Sequence, residues 1–241
     1  MTGRPDDQMT RLERLFAWIG GAWFVASLAL AVWWHAAVLG RAKPFAGWRP
    51  LASDAVLFSL FALHHSALAR PAIQAALSRV VPGRMLRSVY VWTASLLLIL
   101  VCLLWRPIGG DLFHVAGPRA FVHAVVQLSG LSLIVLSVRA IDALELAGIR
   151  RHGPAARGAP GGALQTDGPY RLVRHPLYLG WMLIVLGAAH MTGDRLAFAV
   201  ITSLYLVIAI PWEERSLERT FGDAYRRYKG EVRWKAIPYV Y

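Results

Sequence analysis

The feature that most constrains this chain is a succession of apolar stretches, each near the length needed to cross a bilayer. They run Leu15 to Leu39, Ala55 to Leu77, Val89 to Trp105, Phe121 to Leu146, Pro176 to His190 and Leu196 to Trp212. A hydrocarbon core about 30 Å thick is crossed by roughly 20 helical residues rising about 1.5 Å each. The second stretch is interrupted by His64-His65-Ser66 and Arg70-Pro71, so its helix should bend or stop at Pro71. The last two flank Thr192-Gly193-Asp194 and read as a helical hairpin whose arms only just reach across. Composition agrees. Only 17% of the 241 residues are charged and 56% are hydrophobic, whereas a soluble domain carries roughly 25% charged residues. Trp18, Trp23, Trp33 and Trp34 rim the first stretch as an interfacial belt does. No small-residue cleavage site ends that stretch, which favours a retained helix over a signal peptide.

The expected fold is therefore an all-α integral membrane protein with five to six transmembrane helices, including a C-terminal helical hairpin. It reads as one domain, with residues 1–146 as helical scaffold and substrate side and residues 147–241 as the cofactor-binding part. After Trp212, Leu217, Phe221, Tyr225 and Tyr228 recur at three- and four-residue steps on one helical face, opposite a basic face. Such an amphipathic C-terminal helix is expected to lie along the cytoplasmic membrane surface. The net charge of +12 is no sign of nucleic acid, because the basic residues sit in connections, where anionic lipid and orientation account for them. Arg70, Arg79, Arg84 and Arg87, the loop from Arg150 to Arg174 and the tail from Arg215 to Lys235 fall on one side. By the positive-inside rule this puts the N-terminus, that loop and the C-terminus in the cytoplasm of a bacterial inner membrane. Cys102, the lone cysteine, excludes a disulfide framework or a cysteine metal site, and no metal is expected.

The stretch Thr166 to Gly180, TDGPYRLVRHPLYLG, brings a Gly-Pro-Tyr turn and two arginines to the start of an apolar helix. A charged cofactor with a zwitterionic amino-acid tail needs a carboxylate near its ammonium and cations or N–H groups near its carboxylate. Glu213 or Glu214 can supply the first. Arg171, Arg174 and the helix N-terminus opened by Pro176 can supply the second. An acidic pair at the end of an apolar helix is costly unless matched.

These residues resemble the isoprenylcysteine carboxyl methyltransferase-like membrane methyltransferases, a group that includes phospholipid and methanethiol S-methyltransferases. The shared pattern is R-H-P-x-Y-x-G, a hairpin, then E-E-x-x-L-x-x-x-F-G-x-x-Y-x-x-Y. Arg174, His175, Pro176, Tyr178, Gly180, Glu213, Glu214, Leu217, Phe221, Gly222, Tyr225 and Tyr228 carry it here. The resemblance implies S-adenosylmethionine as cofactor, bound by Gly168, Tyr170, Arg171, Arg174, His175, Pro176, Tyr178, Gly180, Glu213, Glu214 and Tyr225. Upstream, His65, Ser66, Ala69, Arg70, Pro71, Arg87, Ser88, Tyr90, Trp105 and Pro107 are similar to the methanethiol S-methyltransferase branch. There His64 stands in place of the usual Gln. The implied reaction is methyl transfer to a small thiol, methanethiol to dimethyl sulfide. His65 would be the base, with Arg70 or Arg87 stabilising the thiolate. The carboxyl methyltransferases carry an Arg about a turn before the acidic pair, and Leu204 to Ile210 has none, which speaks against a carboxylate acceptor. A lipid, amine or prenyl-thiol acceptor is the alternative within the same fold. The H-S-x-x-A-R-P element is also similar to NnrU-like membrane proteins. His64, His65, His123 and His190 would be the ligands if the chain were instead a small haem protein.

Overall fold

A computed structural model describes residues 9–68, 71–140 and 164–241. Numbered in chain order, its helices are α1 (Arg11–Ala37), α2 (Arg49–Leu68), α3 (Pro71–Leu77), α4 (Leu86–Leu104), α5 (Pro118–Arg139), α6 (Pro176–Leu186), α7 (Gly193–Phe221) and α8 (Asp223–Glu231). Two short strands, β1 (Asp111–His114) and β2 (His190–Thr192), and the 3₁₀ turns Gly83–Met85 and Gly168–Arg171 complete the described elements. Among the described residues, five segments are long and apolar enough to cross a membrane: α1, α2, the turn and helix Gly83–Leu104, α5 and α7. The protein is a mostly helical integral membrane protein. The second apolar stretch divides as expected, with α2 ending at Leu68 and α3 opening at Pro71. Arg70 and the end of the fourth stretch, with Asp142 and Glu145, lie outside the described residues.

The described chain falls into two compact units. The first comprises residues 9–34 and 56–105. Its entry is a capping box: the Thr10 N–H donates to Glu13 Oε2 at 2.7 Å and the Glu13 N–H to Thr10 Oγ1 at 3.2 Å. Glu13 also meets Arg84 at 2.8 Å, fixing the start of α1 beside the turn that precedes α4. Along these helices Gly20 leaves room for the Trp92 indole; a Cβ there would stand 2.6 Å from its Nε1. At the far ends Trp34 and Trp105 meet edge to face at 5.6 Å, so α1 and α4 run parallel and are tied at both ends.

The second unit comprises residues 35–55, 106–140 and 164–241. Helices α5 and α6 cross closely at Gly130 and Gly180, where a Cβ on either would lie 2.6 Å from the other's carbonyl oxygen. Gln127 Nε2 donates to the Ile184 carbonyl at 2.9 Å, anchoring the crossing further along. The strands pair antiparallel, His114 opposite His190 and Asp111 opposite Thr192. Asp194, fully buried, accepts from the Ile108 and Gly109 N–H groups at 2.9 and 3.2 Å, and Asp54 accepts from the Arg106 N–H at 3.0 Å.

Three boundaries differ from expectation. The first hairpin arm ends at Leu186, so its 11 residues rise roughly 17 Å and do not span alone. Gly187 and a strand consume the residues up to Thr192. The second arm does not stop at Trp212: α7 runs on to Phe221, with Pro211 inside it, so the acidic pair sits within a helix and not at its end. Finally, the C-terminal amphipathic face is carried by two helices. Gly222, at φ 53°, separates α7 from α8 in a conformation that suits glycine. The face nevertheless stays continuous. Tyr225, Tyr228 and Val232 close around Tyr170, with Leu217 and Phe221 packed on the cluster. Tyr225, Tyr228 and Val232 are buried, and Leu217 and Phe221 partly so.

Candidate functional site

Gly168, at φ 62°, opens the tight 3₁₀ turn that buries Tyr170 to 1% exposure and turns the chain toward α6. Tyr228 Oη donates to the Tyr170 carbonyl at 2.7 Å and locks this turn against α8. The next residues are held by the C-terminal segment: the Arg174 N–H donates to the Trp234 carbonyl at 2.9 Å and the His175 N–H to the Lys235 carbonyl at 2.7 Å. Pro176 then takes the first helical position of α6, where its missing N–H costs nothing.

Two side chains from this loop and two from α7 form a charged cluster. Arg174 Nε donates to Glu214 Oε1 at 2.7 Å, and its Nη1 donates to the Val232 and Arg233 carbonyls at 2.7 and 2.8 Å. Val232 caps the C-terminus of α8, where backbone carbonyls lack helical partners and a guanidinium satisfies them. Both ions are buried, with side chains 5% and 8% exposed. Glu213, one residue earlier, is 38% exposed; its Oε2 accepts from Tyr178 Oη at 2.6 Å. The His175 ring stacks on Tyr178 at 5.3 Å and lies 3.5 Å from each glutamate, within ion-pair range and outside good hydrogen-bond geometry. Burial opposes a charge on His175, yet the two carboxylates prevail and hold its proton above the ordinary imidazole range. Tyr225 is 1% exposed. Burial, then the Glu214 charge, pushes its phenol well above the ordinary value, so it stays a protonated donor.

Most of the residues expected to hold a cofactor are thus brought together: Arg174, His175, Tyr178, Glu213, Glu214 and Tyr225. Arg171 stands apart, 79% exposed and paired with Asp167 at 3.4 Å. Gly180 serves the crossing with α5. On the expected substrate side, the His65 side chain and Arg70 lie outside the described residues. Arg87 sets its guanidinium 4.8 Å from the Tyr90 ring centroid. Of the histidines considered as haem ligands, His123 and His190 have protein partners. His123 Nδ1 meets the Gly187 carbonyl at 3.1 Å, and His190 Nε2 meets Asp111 at 2.8 Å while its ring stacks on His114. Among the described residues no cluster of His, Cys, Asp and Glu is arranged to hold a metal.

Sequence reasoning missed the carbonyls of residues 232–234, which complete the Arg174 shell, and that of Lys235, which holds the His175 N–H. Main-chain acceptors carry no residue signature, so only the orphaned end of α8 could have hinted at them.

The arrangement suits a molecule carrying both ammonium and carboxylate groups. Two buried polar atoms, His175 Nε2 and Tyr225 Oη, have no hydrogen-bond partner, and buried polar groups normally do. Beside them Glu213 offers a carboxylate that solvent reaches.

The phospholipid methyltransferase family profile matches residues 123–224. Methanethiol S-methyltransferase 2 of Bradyrhizobium diazoefficiens is 36% identical over 179 residues, which cover 73% of this chain and 69% of that protein. Methanethiol S-methyltransferase of Pseudomonas deceptionensis is 33% identical over 194 residues, 78% of this chain and 74% of that protein. A more distant relative, protein-S-isoprenylcysteine O-methyltransferase of Schizosaccharomyces pombe, is 30% identical over 117 residues, 46% of this chain and 50% of that protein. No solved structure matches. With both signature motifs meeting in one buried cluster and relatives aligned over most of their length, this chain belongs to the isoprenylcysteine methyltransferase-like family of membrane methyltransferases.

Proposed function

We propose that the protein transfers a methyl group from S-adenosylmethionine to a small thiol, converting methanethiol to dimethyl sulfide. The observation that carries the cofactor assignment is the buried Arg174–Glu214 pair flanked by Glu213, His175 and Tyr225. Glu214 is engaged by Arg174, so Glu213, exposed to 38%, receives the cofactor's ammonium. Tyr225 Oη and the positive N-terminal end of α6 serve its carboxylate, and Arg174 fixes Glu214 so that the site keeps its shape. When bound, the cofactor's sulfonium supplies an already activated methyl group. The residues of this chain need only align the acceptor, keep out water and help the thiol lose its proton. On the acceptor side, His65 is assigned as the base, with Arg70 or Arg87 as the charge that stabilises the thiolate. The cofactor loop and both termini are placed in the cytoplasm of the inner membrane, where the cofactor is found.

The thiol assignment is supported by the names of the relatives covered over most of their length. A lipid or prenyl-thiol acceptor is the second reading, favoured by the phospholipid methyltransferase profile and the Schizosaccharomyces relative. Equilibrium binding of radiolabelled S-adenosylmethionine to the purified protein, followed by an acceptor panel of methanethiol, a phosphatidylethanolamine and a prenylcysteine, separates them. Binding with methylation of the thiol alone is expected. Binding with methylation of a lipid or prenylcysteine instead would transfer the assignment, and no binding would refute the cofactor.

A further inference from the structure

Helix α7 carries one exposed stripe whose chemistry changes along its length. Leu204, Ile208 and Trp212, each more than half exposed, are followed on the same face by exposed Arg215 and Arg219. Steps of four, four, three and four residues keep all five on one side of a helix. Buried Glu214 faces away from them. Apolar side chains suit lipid, a tryptophan suits the interface, and arginines beyond it stand where headgroups begin.

Depth along the helix axis decides whether these arginines meet water or lipid. At about 1.5 Å per residue, Arg215 lies roughly 4–5 Å beyond Trp212 and Arg219 roughly 10 Å beyond it. The headgroup layer on each side of a bilayer is about 5–8 Å thick, so Arg215 falls within it. Arg219 does not extend a turn further out. Its Nε donates to the Arg215 carbonyl at 3.2 Å, which draws the guanidinium back toward the membrane. Two positive groups therefore share one depth on one face. Neighbouring cations are matched by protein, Arg226 by Asp223 at 2.5 Å and Lys229 by Glu218 at 2.6 Å. Among the described residues, neither Arg215 nor Arg219 meets a carboxylate.

We infer that Arg215 and Arg219 bind the phosphate of an anionic phospholipid whose acyl chains run back along Trp212, Ile208 and Leu204. Two planar guanidinium groups one turn apart suit phosphate oxygens. Their combined charge favours a lipid of net negative charge over a zwitterionic one. A free phosphate would leave the apolar part of the stripe uncovered, so the lipid is the occupant. Bound there, it fixes the depth of α7 and keeps Glu213, the residue after Trp212, at the level where water begins.

The test titrates the delipidated protein in detergent with phosphatidylglycerol, phosphatidylcholine and inorganic phosphate, and counts bound lipid by native mass spectrometry. The parent should hold phosphatidylglycerol roughly 10-fold or more tighter than phosphatidylcholine. The double variant Arg215→Gln/Arg219→Gln should lose that preference. Arg119→Gln, exposed at the start of α5 at the end of the unit where the strands pair, should keep it. A second readout needs no loss of binding. A spin label at Ser216→Cys, on the same exposed side of α7, should report headgroup depth in nanodiscs, with Cys102 buried and unlabelled. Equal retention of the two lipids, an unchanged preference in the double variant, or a label in bulk water would each overturn the inference. Displacement of the lipid by inorganic phosphate at equal concentration would mark a free-anion site and overturn the lipid assignment. Neither readout involves methyl transfer, so the result is independent of the proposed activity.

Discussion

A guanidinium is tolerated in a protein interior when acceptors surround it, and Arg174 meets Glu214 and two terminal carbonyls of the tail. Removing one partner of such a pair leaves an uncompensated buried charge. Arg174→Ala should therefore cost about 3–5 kcal/mol, read as a large fall in melting temperature in detergent, while Arg171→Ala, whose side chain is 79% exposed, should melt like the parent. His175 gives a pH signature. Its proton is held more tightly in the folded protein than in the unfolded chain, because burial is outweighed by Glu213 and Glu214. The stabilisation is fully present below the ordinary histidine value of about 6.5 and is lost as pH rises through the folded value. Denaturation midpoints measured across that alkaline window should fall in the parent and stay flatter in His175→Asn. At this scale the sequence was informative: Arg174, His175, Tyr178 and the two glutamates were legible from motif chemistry. Arg171 was not separable from Arg174, because two arginines three residues apart look equivalent until one is seen to point inward.

At the scale of elements, glycine decides where helices approach and where they end. A methyl group on Gly180 would meet the Gly130 carbonyl oxygen at 2.6 Å, and backbone on both helices would have to move. Gly180→Ala should destabilise by about 1–3 kcal/mol, measured as a shift in thermal melting. Gly222→Ala should cost at least about 1 kcal/mol, because φ 53° suits glycine alone among common residues. The hairpin shows why boundaries were the less legible part. Hydropathy reported apolar residues up to His190 but could not tell helix from strand there, since both are apolar and the choice is made by pairing with Asp111–His114 from far upstream. The C-terminal face was legible as a periodicity, yet its partner, Tyr170, lies more than forty residues away, and no local pattern encodes that contact.

For the whole molecule, hydropathy and charge placement are enough to require a membrane protein, since five described segments are long and apolar enough to cross. They do not determine its chemistry, because fold alone does not choose a substrate. The two motifs do more, bringing the loop, α7 and α8 to one buried charged cluster in the second unit. The measurement that tests the central claim most directly is a headspace assay on purified protein supplied with S-adenosylmethionine and methanethiol, run alongside Glu213→Gln. Dimethyl sulfide should accumulate in proportion to the protein added, and Glu213→Gln should raise the cofactor concentration needed for half-maximal rate by roughly 10-fold or more, the loss expected when a charge-assisted hydrogen bond is removed. Cofactor consumption without dimethyl sulfide, or a Glu213→Gln protein with unaltered cofactor dependence, would contradict the account.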